Sequence, residues 1–266
     1  MSGSLVETAL GRERALLIGA MAVLFLLSGL YTLFGVGVEM SAIDMTRMAG
    51  MRDMAGMRDA GSWGPGYFVL VFLMWWVMMV AMMLPSVAPT VLLHAALLRK
   101  THNPAPVPMT TAMFLAGYLA AWAGFSIAAA IVQHGLETAG IVSATMMTLV
   151  DTVPGAVVLI VAGAFQFTPW KDRCLSHCRS PAEFIVRRRR PGVSGAFRMG
   201  LEHGVYCLGC CWFLMALLFV GGIMNLYWIV GLSAFVALEK LTPHGKLASK
   251  AAGVLLVAWG LRVILV

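Results

Sequence analysis

Charge is scarce in this sequence: Asp, Glu, Lys and Arg make up 12% of its 266 residues, against 60% apolar residues, and the mean hydropathy is +0.86. A chain so poor in charge does not describe a soluble globular domain and reads as an integral membrane protein. Acidic residues are the scarcer sign, 12 against 19 Lys and Arg, for a net charge of +7. That excess does not point to nucleic acid, because the basic residues sit in short loops between apolar runs, where they orient a chain in the bilayer. The first apolar run lacks a small-residue cleavage site, so it is expected to stay as a membrane anchor rather than leave as a signal peptide. The sequence has no glycine loop of the P-loop type, which argues against ATP-driven pumping by this chain. It also has no convincing inverted repeat, which weakens the case for an alternating-access transporter. Five cysteines is an odd count, and all lie in apolar runs or in a loop placed in the cytoplasm. A disulfide framework is therefore not expected, and free thiols or metal ligands are.

What is present is a series of apolar runs. With roughly 20 apolar residues needed per transmembrane helix, the sequence predicts an all-α polytopic bundle of seven spans near 15–37, 67–86, 110–133, 152–169, 200–222, 225–241 and 249–266. A six-span alternative leaves the final short segment in the interface. Arg12, Arg14, Arg99, Lys100, Lys246 and Lys250, with the eight basic residues of a 170–198 loop, fall on one face. The opposite face holds the 38–66 loop, whose arginines are balanced by Glu39, Asp44, Asp53 and Asp59, and an acidic loop with Glu137 and Asp151. The positive-inside rule then puts the N-terminus in the cytoplasm. Pro85 and Pro89 interrupt the second run, so its span is expected to end near Pro85 and to be followed by a kinked or interfacial segment containing His94.

Soft ligands are abundant. Met45, Met48, Met51, Met54 and Met57 recur every third residue, and the hexapeptide Met-Ala-Gly-Met-Arg-Asp occurs twice, at 48–53 and 54–59. A thioether is an uncharged soft ligand suited to Cu(I). The competing reading is a solvated loop that a duplication filled with methionines. Within the second run, Met74, Met78 and Met82 form one stripe at a spacing of four, and Met79 and Met83 an adjacent one; such a face is either a metal path or ordinary core packing.

The densest signal is in the fifth run. His203, Cys207, Cys210 and Cys211 stand at i, i+4, i+7 and i+8, one helical face, with Glu202 and Tyr206 beside it. Ionisable groups inside a span mark function by default; the alternative is buried cysteines acting as small hydrophobes, with Glu202 and His203 at the interface. Only 221–225 separate the fifth and sixth runs, so a hairpin brings Glu239 and Lys240 to the depth of Cys207, as an ion pair or as a proton or ion relay. Cys174, His177 and Cys178 in the basic loop form a second candidate metal or exchange site, too small alone for a closed tetrahedral one.

Segments 78–85, 166–178 and 204–212 together carry a resemblance: the chain resembles the bacterial family described as predicted metal-binding integral membrane proteins, from the second run onward. The resemblance implies metal handling and leaves the metal and the activity open. The methionine ladder lies outside it and is similar, in local chemistry alone, to the Met-rich segments of copper uptake transporters. The reading that follows is a multi-pass protein of the bacterial inner membrane that captures, relays or delivers a metal ion, copper first and zinc or iron after it. Its partners would be membrane lipid and a membrane enzyme or soluble metal-handling protein. The alternatives are a membrane thiol- or metal-dependent oxidoreductase and a non-catalytic assembly subunit of a membrane complex.

Overall fold

The structure, a computed structural model, describes residues 2–35, 41–48, 63–100 and 106–265, with side chains of the first helix described from Ala15 onward. Among these the secondary structure is all helical, apart from one isolated antiparallel bridge between Val142 and Leu149. The helices are α1 (Ser2–Phe34), α2 (Ala42–Arg47), α3 (Pro65–Arg99), α4 (Val107–Thr138), α5 (Thr152–Phe165), α6 (Pro169–Arg179), α7 (Pro181–Arg187), α8 (Gly192–Ala216), α9 (Leu218–Gly221), α10 (Leu226–Leu241) and α11 (Gly245–Leu265). Five stretches are long and apolar enough to cross a membrane: Ala15–Phe34, Pro65–Arg99, Val107–Thr138, Gly192–Gly221 and Gly245–Leu265. A sixth results if α5 and α6, bent by 65° at their junction, form one broken span. In a membrane every backbone group must be satisfied within its own helix, which is why long apolar runs resolve into helices.

Burial separates centre from rim. The apolar windows of α3 and α8 are 56% and 61% buried, those of α1 and α11 only 11% and 17%. The large exposed apolar side chains on the outer helices, such as Leu26, Leu255 and Leu265, are what a lipid-facing surface presents. The most extensive helix pairing is α4 on α8. Small residues permit it: a Cβ at Gly204 would lie 2.6 Å from the Ala121 Cβ, and Cβ atoms at Gly117 and Gly200 would run into the Phe197 and Phe114 carbonyls. Gly200 and Gly204 are four residues apart, the small-residue pattern that lets membrane helices approach closely. The same device joins α5 to α11, where a Cβ at Gly163 would lie 2.8 Å from the Gly253 carbonyl oxygen.

Three local expectations are corrected. The second run does not stop at Pro85: α3 continues through Pro85 and Pro89 for 35 residues, about 52 Å at 1.5 Å per residue. Hydroxyls satisfy carbonyls beside the first proline, Ser86 Oγ donating to Met83 O (2.9 Å) and Ser233 Oγ to Met82 O (2.9 Å). α3 also packs against the short helix α7. The expected 152–169 span is a 14-residue helix, about 21 Å long, which breaks before Thr168 caps α6 and Pro169 opens it. The basic stretch after it is two helices rather than a loop, with α6 packed on α8.

Glu137, expected in an acidic loop, is 1% exposed in the last turn of α4. It accepts from Trp63 Nε1 (2.8 Å) and Gln133 Nε2 (2.7 Å), and Gln133 Oε1 accepts from Trp75 Nε1 (2.7 Å). This chain of bonds ties the start of α3 to the end of α4. The turn after α9 is made at Gly222 (φ +96°), where the left-handed backbone suits glycine. After it, α10 packs mainly on α3 and α11, with less contact to α8 than a closely paired hairpin would give.

Candidate metal centre

On α8, His203, Cys207, Cys210 and Cys211 share a face because of their spacing, and all four are buried, at 3%, 1%, 0% and 0% exposure. The thiols of Cys210 and Cys211 donate back to the Cys207 carbonyl oxygen, at 2.9 and 3.0 Å. The helix α6 then adds what the sequence kept separate. Its Cys178 thiol interacts with those of Cys207 and Cys210. Cys174 rests against Gly209, where a Cβ would lie 2.8 Å from the Cys174 sulfur. All five cysteines are thus free, buried and gathered where α6 meets α8.

Cationic and hydroxyl groups surround these thiols. Lys240 Nζ donates to Cys207 Sγ at 2.9 Å and to Ser86 Oγ at 3.3 Å, and the Tyr118 hydroxyl is 3.0 Å from Cys207 Sγ. The depth match between Lys240 and Cys207 is the one that counting along the two helices predicts. Glu239 turns away from Lys240 and accepts from Lys171 Nζ at 2.6 Å, a pair with 1% and 0% side-chain exposure. Lys171 also bonds to Gln166 Oε1, which accepts from Ser249 Oγ at 3.1 Å. Two buried lysines and one buried carboxylate therefore adjoin the thiols, an excess of positive charge that suits a site able to hold thiolates.

The remaining candidates are placed less centrally. Glu202 lies at the rim, bonded to Arg190 (2.8 Å) and within 3.7 Å of Arg188. His177 is half-buried, stacked on Tyr206 at 4.1 Å, with Nδ1 at 2.8 Å from the Arg173 carbonyl oxygen. The His203 ring lies among Phe114, Tyr118 and Phe184 at 6.1, 5.9 and 5.2 Å, and its buried Nδ1 has no hydrogen-bond partner. Met74, Met78, Met79, Met82 and Met83 are all buried in the α3 core. Met45 is buried too, in α2, and Met48 half-buried at its C-cap, so the start of the ladder is packed rather than displayed. Met51, Met54 and Met57 lie outside the described residues. Among the described residues no three His, Cys, Asp or Glu side chains are arranged to hold a metal ion.

Sequence reasoning did not single out Tyr118, Ser86, Gln166 or Lys171. Two of these, Gln166 and Lys171, stand in the 166–178 segment that carries the family resemblance, which is the signal that could have found them.

Fold and site together define a class: an all-helical chain with membrane-length apolar helices, whose interior holds a cluster of thiols beside two lysines. The chain belongs to the PpoB2 family, described as a copper chaperone, whose model matches residues 72–263. No curated protein and no solved structure matches it. The matched region takes in every thiol and both lysines and leaves out α1, α2 and the methionine ladder.

Proposed function

We propose that this chain is a multi-pass protein of the bacterial inner membrane that carries Cu(I) as cargo, held between two thiolates, Cys178 of α6 and Cys207 of α8, with Cys210 beside them. The observation that carries the reading is the meeting of α6 and α8, which brings cysteines from two distant segments to one buried place. Thiolate and thioether ligands select Cu(I), and a Cu(I) ion between two thiolates leaves one negative charge, which the Lys240 amine beside Cys207 Sγ offsets. Cys174, Cys211 and His203 flank this position as exchange ligands, and Glu239 with Lys171 fixes the adjoining charge.

On this reading the ion arrives from the extracytoplasmic side, through the 45–57 methionines and the buried Met74, Met78, Met79, Met82 and Met83 of α3. Ser86 links the end of that stripe to Lys240 and so to Cys207. The N-terminus is cytoplasmic and the passes number seven, α5 and α10 counting as short ones. Delivery is to a membrane enzyme under assembly or to a soluble metal-handling partner. Copper K-edge absorption of the loaded protein tests the ligand assignment: a sulfur-dominated shell is expected, and a shell of nitrogen and oxygen alone would contradict it.

A further inference from the structure

A polar concavity of about 310 Å³ opens between α6 and α7, lined by Ser176, His177, Glu183, Phe184 and Arg187 among others. Arg187 bonds to Glu183 at 3.0 Å, while Arg188, also in the lining, lies 3.7 Å from Glu202, so the mouth carries a net positive charge that favours an anionic donor such as a thiolate. The Arg187 and Glu183 side chains are more than half exposed, at 77% and 57%, which puts the mouth on the water side.

Phe184 belongs to this lining and is itself only 4% exposed. Behind it, 5.2 Å between ring centroids, is His203. The Nδ1 of that histidine is buried without a partner, and such a group costs free energy unless something satisfies it. One turn further along α8 is Cys207. His177 sits at the same mouth, stacked on Tyr206, whose ring meets Phe184 edge-on at 6.3 Å. Phe184 thus joins the water-side concavity to an orphaned imidazole, and the next turn of the same helix carries the Cys207 thiol.

We propose that this concavity is the port by which the cargo ion leaves or enters the thiol cluster, with Phe184 as its plug and His203 as the first ligand behind it. The ligand it admits is a small water-soluble thiol or nitrogen chelator, or the metal-binding residue of a soluble protein, that takes Cu(I) by ligand exchange at His203. No electron changes hands: one Cu–S bond is replaced by a Cu–N bond to His203 Nδ1, then that Cu–N bond and the remaining Cu–S bond are replaced by bonds to the incoming donor. The neutral imidazole is released unchanged, one freed thiolate is paired by Lys240 and the other takes up a proton from water. The port rests on the copper reading above, yet its geometry can be tested without copper.

Two rates are measured on the full-length protein in detergent: alkylation of Cys207 by a charged maleimide in the metal-free protein, located by mass spectrometry, and removal of bound Cu(I) by a sulfonated phenanthroline-type chelator. Phe184→Ala is expected to raise both rates about tenfold or more, the rate equivalent of a small lowering of the opening barrier. Ser176→Trp, which fills the mouth without touching the plug, is expected to slow both, and Val186→Ala, on α7 outside the concavity, to leave both unchanged. Rates indifferent to Phe184→Ala and Ser176→Trp alike would overturn the port, as would equal acceleration by Val186→Ala. If the protein holds no copper but alkylation follows the expected pattern, the port stands and the copper reading fails.

Discussion

Lys240 Nζ lies 2.9 Å from Cys207 Sγ, and both residues are buried, at 7% and 1% exposure. A lysine amine inside a membrane bundle needs a partner of opposite charge, and here the partner is the sulfur proposed to hold the ion. A hydrogen bond to a charged group contributes about 1.5–3 kcal/mol. Lys240→Met, close in length and uncharged, is therefore expected to weaken Cu(I) binding about tenfold or more in a competition titration against a chelator of known affinity. Unchanged affinity would remove Lys240 from the site.

The Lys171–Glu239 pair, also buried, answers a different question. Removing one partner of a buried ion pair leaves a charge without compensation and costs about 3–5 kcal/mol, whereas replacing both with apolar groups costs far less. Lys171→Met alone should lower the heat-unfolding midpoint in detergent sharply, and Lys171→Met with Glu239→Leu should recover most of the loss. If the double variant is as unstable as the single, the pair has a role beyond mutual neutralisation.

Much of this was legible in the sequence wherever the information was local. The α8 face of His203, Cys207, Cys210 and Cys211 follows from helical spacing alone, and the depth of Lys240 follows from a short turn and equal rise along two helices. What joins Cys174 and Cys178 to that face is the 65° bend between α5 and α6, a tertiary event that hydropathy windows and loop charge counts do not register. Sequence context marks Lys171 and Glu137 as loop charges, since their neighbours are polar or lie near a span end, yet partners distant in sequence bury both. Pro85 and Pro89 signal a stop because proline costs a helical hydrogen bond; hydroxyls of Ser86 and Ser233 on neighbouring carbonyls accompany the helix through them.

The glycines of the α4 and α8 contact give a direct test of the packing. A methyl group at Gly200 or Gly204 would overlap α4 atoms, and overpacking costs about 1–3 kcal/mol. Gly200→Ala and Gly204→Ala should each lower the detergent unfolding midpoint. Gly124→Ala, on the facing helix α4 but with nothing within 4 Å of the new Cβ, should raise it slightly, since alanine favours a helix by about 0.5–1 kcal/mol over glycine.

The central claim is that thiols from α6 and α8 together hold copper. It is tested most directly by elemental analysis of protein purified under reducing conditions from copper-supplemented cells, comparing the natural chain with Cys178→Ser and with a Cys207/Cys210/Cys211 triple serine variant. The account predicts stoichiometric copper in the natural chain, a reduced amount in Cys178→Ser and none in the triple variant. Equal copper in the natural chain and the triple variant, at any level, would contradict it.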